Sequence, residues 1–588
     1  MSELNDQQRQ ALKAPGDALV QACPGSGKTR VLAAKMLRDV ARLPEGRRRF
    51  LAGLTYTIRA AEEITRRFAD AGVRDARLWV GTIHSFCREW VLHPYRCYSP
   101  PLRRSFRVAS EGTIREILDR LKAGHDLDPW IEIPTRLGLN GEPLEALGLD
   151  RDIHRDIIYN YHQELKAAGL VDHDQCLYYT YKLLKKLPCA CKNLARLFEG
   201  IYLDEYQDTS EVQYSILGLI LGSGSTRIFV VGDPDQAIYR SLGGVVKTAP
   251  ELESIFCREE IAPLELSGNY RSSSRIVDFC TNFRVSNLNV VAMGDGRDTR
   301  GCISFDRLTY GRHNVADRIA SLIQGHVGNG VAPEEICVLA PKWRVLLPVA
   351  REVAALLPDI PVNVPGAAIF KESDGVWHRV IALHFGEPNA RNIRWRRGEA
   401  ALLLRELSDE FSLDVVSTSA RACIRVIREI RPHDTGIAYL KELLTTFLSQ
   451  FVKLEAGGPL AESINAYLAT IAGRLGWLET EMDFEFFRSS FTRTGVQVTS
   501  CHAVKGLEFE VVICFGLLKG HCPAWASVIH SDDEGWDDSI RLLYVVASRA
   551  KRSLHLISEF GFRTKRGGNY EVTPTLERIR FRYDADQL

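Results

Sequence analysis

Ala22-Cys23-Pro24-Gly25-Ser26-Gly27-Lys28-Thr29 is the stretch on which the fold turns. The apolar run Ala18-Leu19-Val20 precedes it and reads as a short buried strand. A periodic run through Val31, Leu32 and Met36 follows it and reads as a helix. Strand, glycine turn and helix start form the context in which Gly-x-Gly-Lys-Thr binds phosphate. Gly25 and Gly27 lack a Cβ, so the backbone can curl and aim its N–H groups inward at phosphate oxygens. The helix N-terminus adds partial positive charge. Lys28 is placed to reach the β- and γ-phosphates of ATP, and Thr29 to hold Mg²⁺. The pattern usually opens on glycine, and this chain has Ala22 there.

The chain around this stretch has 588 residues, enough for several domains. With 45% hydrophobic and 25% charged residues, it has a soluble globular composition. No apolar run reaches the ~20 residues of a membrane span. Met1-Ser2-Glu3-Leu4-Asn5 is no signal peptide, so a cytoplasmic protein without a membrane partner is expected. Fourteen cysteines are scattered without a CxxC pair, which favours reduced, buried thiols over a zinc or iron–sulfur site. A net charge of +1 neither demands nor excludes nucleic acid, because a channel needs only local positive charge. The clusters Arg47-Arg48-Arg49, Arg103-Arg104 and Arg394-Trp395-Arg396-Arg397 read first as solvated faces.

Taken in order, Leu4 to Ala11 reads as a helix capped by Asn5 or Asp6. Its Gln8 either reads an adenine edge through paired hydrogen bonds or faces solvent. The strand Phe50–Thr57 and the stretch Gly81-Thr82-Ile83-His84-Ser85-Phe86 put polar groups at strand ends, as a binding crevice requires. Tyr56 and Phe86 stack on bases or belong to the core. Residues 91–180 are mostly helical. Ile201-Tyr202-Leu203 then runs into Asp204-Glu205. A strand ending in two carboxylates suits ATP hydrolysis: Asp204 for Mg²⁺, Glu205 to orient or deprotonate the attacking water. The strand Arg227–Val231 leads to Gln236, placed to sense the γ-phosphate. Farther on, Arg271 can clamp phosphoryl oxygens and Tyr270 can stack on adenine. A second α/β unit begins near Cys302, with a loop-to-helix region at Gly366 and Phe370. A helical insertion occupies 387–480, and its stripe Leu440, Leu443, Leu444, Phe447, Leu448, Phe451 is core. The acidic run Asp532-Asp533-Glu534 with Asp537-Asp538 is a solvated loop.

Five motifs stand in fixed order: Asp204-Glu205-Tyr206-Gln207-Asp208-Thr209; Gly232-Asp233-Pro234-Asp235-Gln236-Ala237-Ile238-Tyr239; Asn269-Tyr270-Arg271-Ser272; Lys505-Gly506-Leu507-Glu508-Phe509; and Tyr544-Val545-Val546-Ala547-Ser548-Arg549-Ala550. Over nearly its whole length the chain thereby resembles the UvrD/Rep/PcrA-type helicases of superfamily 1. The resemblance implies an α/β protein of two RecA-like P-loop domains with parallel sheets, each carrying a mostly helical inserted subdomain. The first domain would be 1–90 with 181–278, its insertion 91–180; the second 279–386 with 481–588, its insertion 387–480. It implies ATP and Mg²⁺, held by Gln8, Pro24, Gly25, Ser26, Gly27, Lys28, Thr29, Arg30, Asp204 and Tyr270, with Glu508 near the ribose. Glu205, Gln236, Arg271 and an arginine finger at Arg549 would act on the γ-phosphate. Movement would run 3′ to 5′ on single-stranded or tailed duplex DNA, with Tyr56, Thr82, His84 and His502 near the DNA track.

The chain also departs from that family. Ser241-Leu242-Gly243-Gly244 replaces an aromatic followed by Arg-Gly-Ala, which removes a base-stacking ring and a polar link. Ile58-Arg59 stands where Asn-Lys is frequent, and Ser548 where Thr is expected. The second insertion is short. In this the chain is similar to compact UvrD-like subunits that work beside an OLD-type nuclease, as in the Gabija antiphage system. That likeness implies an alternative: an ATP-gated, DNA-sensing regulatory subunit with a partner nuclease.

Overall fold

The computed structural model describes residues 4–584 except 45–48, 104–105, 110, 128–130, 132, 145–148, 240–242, 310–313, 364–369, 371–374, 387, 389–392, 412, 416–417, 453–457, 476–486, 489–490, 492–494, 525–526, 529–534 and 562–568. Arg47, Arg48, Arg104, Ser241, Leu242, Gly366, Asp532, Asp533 and Glu534 therefore lie outside the described residues, as do the side chains of Arg394 and Trp395. The chain divides into two units: Met1–Phe106, Glu132–Thr309 and Val504–Gln587 in one, Arg107–Ile131 and Tyr310–Ala503 in the other.

The first unit is built on six strands: β1 (Ala18–Ala22), β2 (Phe50–Thr55), β3 (Leu78–Thr82), β4 (Phe198–Leu203), β5 (Arg227–Gly232) and β6 (Ala262–Leu266). They form one sheet in the order β3-β2-β4-β5-β1-β6, and every pairing is parallel. Leu19, Val20, Leu203, Val230 and Val231 are buried, as expected of strands covered by helices on both faces. The helix Lys28–Val40 returns the chain from β1 and buries Val31, Leu32, Ala33 and Met36 on the sheet. Because all six strands run the same way, Cys23, Tyr56, Ile83, Asp204, Asp233 and Ser267 all follow strand ends at one edge. That edge is where open α/β sheets bind ligands.

The same unit holds the strands Ile303–Thr309 (β7), Phe509–Cys514 and Ala550–Phe560. The last of these pairs in parallel with both of the others. It also contains two helices, Arg151–Ala167 and His173–Lys186, whose N-termini are capped by Asp150 and Asp172.

The second unit has the strands Ile336–Ala340 (β8), Val362–Asn363 (β9) and Val496–Ser500 (β10). β10 pairs in parallel with both β8 and β9. Its larger part is helical: Val376–Phe385, Ile393–Phe411, Ala420–Glu429, Gly436–Leu448 and Pro459–Leu475. Leu440, Leu443, Leu444, Phe447 and Leu448 all face inward, with Phe451 packed against them. Each such side chain contributes about 1.5–3 kcal/mol when taken out of water, so this stripe is core. Among the described residues no helix is long and apolar enough to cross a membrane.

Candidate active site

The phosphate loop leaves β1 at Cys23, whose N–H donates to the Leu266 carbonyl at 3.0 Å. Gly25 and Gly27 have φ of +71° and +80°, the left-handed region where a Cβ is strained. At Gly25 a Cβ would also lie 2.6 Å from the Cβ of Arg271. The Gly25 carbonyl accepts from the Tyr270 N–H at 3.0 Å, so the loop and the Asn269–Arg271 segment pack as one piece. Asn5 caps the first helix, Asp6–Lys13, in a capping box with Gln8. The amide of Gln8 is occupied at both ends: its oxygen accepts from the Asn5 N–H at 3.1 Å and its nitrogen donates to the Ser26 carbonyl at 2.8 Å. The structure thus sets Gln8 against the phosphate loop. Tyr270 is partly exposed, with its hydroxyl accepting from Asn5 Nδ2 at 2.7 Å.

Across the loop, Lys28 Nζ lies 3.3 and 3.4 Å from the two carboxylate oxygens of Glu205. Burial alone would pull the Lys28 ammonium down, but Glu205, Asp233 and Asp204 raise it above its ordinary value. Burial also opposes the Glu205 charge, yet Lys28 and Lys505 outweigh it and hold that carboxyl low. Asp204 moves the other way: burial and the adjacent Glu205 carboxylate push it up. Two neighbouring carboxyls with opposite shifts are suited to different tasks. Glu205 itself has φ +52°, a strained backbone for a residue with a side chain, and the Gln207 amide donates to its carboxylate. Asp233, at the end of β5, accepts from Gln236 Nε2 at 2.7 Å, and its carboxyl is pushed up to about 6 by burial.

Arg271 and Arg549 complete the pocket. Arg271 Nε donates to Glu508 at 2.7 Å and its Nη1 to the Ser548 carbonyl at 3.0 Å. Burial opposes the Glu508 charge, but Arg271 holds that carboxyl below its usual range. Arg549 is buried and its partners are neutral acceptors: Gln236 Oε1 and Ser548 Oγ at 2.9 Å, the Val545 carbonyl at 3.1 Å and the Leu507 carbonyl at 3.3 Å. Burial, then the charge of Arg271, pulls its guanidinium down to about 9. Lys28, Glu205, Gln236, Arg271, Glu508 and Arg549 are therefore gathered in one place. For Mg²⁺, Thr29 and Asp204 offer a hydroxyl and a buried carboxylate joined by a hydrogen bond, the hard oxygen donors that ion takes.

The residues named for a DNA track have mixed settings. Tyr56 stacks on Tyr239 with ring centroids 5.1 Å apart and planes at 24°. Thr82 caps the helix Ile83–Phe86, accepting from the Ser85 N–H at 3.1 Å. His84 meets His173 edge-on at 5.6 Å, and burial and that neighbour lower it to about 3, so it is neutral at working pH. His502 is exposed and belongs to the second unit.

Lys505 and Asn269 have contacts to which the motif reading gave no role. Lys505 Nζ donates to Asp208 at 2.5 Å and to the Gln236 carbonyl at 3.0 Å, and sits 5.2 Å from the centroid of Tyr239. Asn269 Oδ1 accepts from the N–H groups of Arg271 and Ser272, both at 2.8 Å, and so aims the arginine. Both residues open motifs quoted above, and that position was the available signal.

Two family models match the chain. The UvrD/REP helicase N-terminal domain matches residues 4–256, and the UvrD-like helicase C-terminal domain matches residues 422–559. Among curated proteins the chain is 26% identical to DNA helicase II of Escherichia coli, over 95% of this chain and 84% of that protein. It is 25% identical to DNA helicase II of Haemophilus influenzae, over 94% and 83%, and 25% identical to the ATP-dependent DNA helicase PcrA of Leuconostoc citreum, over 95% and 82%.

Proposed function

The chain belongs to the UvrD/Rep/PcrA-like superfamily 1 helicases, and from that premise we propose how its residues carry out the work. It is an ATP-hydrolysing DNA helicase. Its movement runs 3′ to 5′ on single-stranded or tailed duplex DNA, and it works in the cytoplasm. The observation that carries the division of labour is the joint placement of Lys28 on Glu205 and Arg549 on Gln236 in one pocket.

The phosphate loop from Pro24 to Thr29 cradles the β- and γ-phosphates through backbone N–H groups, with Arg30 beside it. Gln8 holds the loop's shape from the adenine side, Tyr270 stacks on the base and Glu508 lies near the ribose. Thr29 and Asp204 hold Mg²⁺, which when bound neutralises charge developing on the phosphates. Glu205, kept ionised, orients the attacking water and accepts its proton. Lys28 leaves Glu205 for phosphate when ATP enters. Arg549 and Arg271 stabilise the transferred phosphoryl group, and Gln236 reports its presence. Both arginines come from chain far beyond the phosphate loop, so nucleotide state can be linked to motion. Tyr56, Thr82 and His84 in the first unit, and His502 in the second, are each assigned to contact DNA. We divide the chain into RecA-like domains 1–90 with 181–278 and 279–386 with 481–588, carrying insertions 91–180 and 387–480.

A strand-displacement assay on 3′- and 5′-tailed duplexes tests the polarity, with Glu205→Gln as the hydrolysis-dead control. Unwinding restricted to the 5′-tailed duplex would overturn it. The reading as a regulatory subunit of a nuclease complex has no observation behind it: the relatives are named as helicases, and Ser241 and Leu242 lie outside the described residues.

A further inference from the structure

The turn Pro234–Gln236 after β5 is held by three cations. Arg549 Nη2 donates to the Gln236 side chain at 2.9 Å and Lys505 Nζ to the Gln236 carbonyl at 3.0 Å. The third is Arg541, whose Nη1 donates to the Pro234 carbonyl at 2.6 Å. Arg541 lies on the helix Trp536–Ala547 and Arg549 follows just after its C-cap Ser548, so one helix and the residue beyond its end grip both ends of this turn. Arg541 is buried, at 8% exposure; its Nε also donates to Asp537, one turn earlier, at 3.1 Å, and the charges of Asp235, Asp538 and Asp233 act on it. A buried guanidinium on a backbone carbonyl is a strong, directional contact, because the charge has little water to fall back on. The other side of the turn is fixed as well: Asp235 accepts from the N–H groups of Val285 and Ser286 at 2.9 and 2.7 Å and from the Ser286 hydroxyl at 2.6 Å.

The two arginine grips differ in kind. Arg549 holds a side chain, and both partners of that bond have work to do on phosphate. Arg541 holds main chain, through the Pro234 carbonyl. When Arg549 and Gln236 exchange each other for phosphate oxygens, the Arg541 bond can persist.

We propose that Arg541 is a positioning residue for hydrolysis: it keeps the Pro234–Gln236 turn in register with the helix whose C-terminal end leads into Arg549, so that Gln236 and Arg549 meet the same phosphate. The proposal rests on the ATP-hydrolysis reading above. It predicts an effect on turnover with little effect on nucleotide binding, since the phosphate loop and Tyr270 are untouched.

The test uses the full chain with single-stranded DNA. Arg541→Gln should lower kcat for ATP hydrolysis about tenfold with KM for ATP changed less than about twofold, and Arg541→Lys, which keeps the charge and a donor, should recover part of the loss. In a Gln236→Ala background, adding Arg541→Gln should cost less than about a further twofold, because both act through one group. A fully multiplicative loss in the double variant, or a raised KM at unchanged kcat, would overturn the proposal. So would wild-type kcat in a folded Arg541→Gln protein. If Arg541→Gln does not fold, as judged by thermal melting, the cycle is run with Asp537→Asn, which frees Arg541 from its carboxylate. That change should lower kcat about twofold to threefold, and only when Gln236 is present; an equal loss without Gln236 overturns the proposal. Absence of ATP hydrolysis by the wild-type chain would instead refute the helicase reading.

Discussion

The phosphate-loop wall and the arginine wall of the pocket handle charge in opposite ways. On the first, the cation Lys28 is compensated on the spot by Glu205, with Asp204 and Asp233 close by. On the second, the hydrogen-bond acceptors of Arg549 are neutral, with the Glu205, Asp233 and Glu508 charges acting from farther off, and Arg271 pairs with the half-exposed Glu508. The second holds the buried Arg549 guanidinium with no carboxylate in hydrogen-bond contact among the described residues, and burial pulls it down to about 9. The contrast separates a wall that neutralises its cation by direct contact from one whose buried guanidinium is held by neutral acceptors.

The largest effect should come from taking that charge away. Arg549→Ala should lower DNA-stimulated kcat by about 10³ or more, while binding of a fluorescent ATP analogue changes little. Wild-type turnover in this variant would erase the difference between the walls. Glu205→Gln breaks the ion pair on the opposite side and removes the proposed proton acceptor. Turnover should fall by about 10²–10⁴ in a steady-state assay, with ATP still bound because Lys28 is released to phosphate.

Acidification separates the walls more gently. The Asp208 carboxyl, which accepts from Lys505, is pushed up to about 6 by burial, from an ordinary value of 3.8. The folded protein thus holds this proton more tightly than the unfolded chain. The stabilisation is complete below about 3.8 and is lost as pH rises through about 6. Turnover should run the other way and fall below pH 6 as the Lys505 tether weakens. Parallel melting and turnover profiles check the two signs. Lys505→Met should remove the tether at all pH values at a cost of several-fold in kcat, in keeping with a positioning contact worth about 1 kcal/mol.

Much of this was legible because the chemistry is local. Gly25, Gly27, Lys28 and Thr29 fall within five residues, and Asp204 and Glu205 end a single apolar strand, so a short window carries their meaning. The stripe from Leu440 to Leu448 was legible as core by its period alone. The contacts that link distant segments were not. Lys505 meets Asp208 across 297 positions and Arg541 meets Pro234 across 307, and no periodicity records such a meeting. Gln8 shows the same limit from another side. Its presence near a phosphate loop is readable, but that both ends of its amide are taken by Asn5 and Ser26 depends on how the first helix docks.

The contact between Gly25 and Arg271 has a consequence of its own. A single peptide of the loop touches the stretch that bears both the Tyr270 ring and the Arg271 guanidinium. With Tyr270 on the base and Arg271 on the terminal phosphate, as proposed above, the two extremities of the nucleotide would be gauged by neighbouring residues on one sill. A molecule with the right base and too few phosphates, or the reverse, would then fit one of them and leave the other unsatisfied, a check that adds to the one proposed for Gln236.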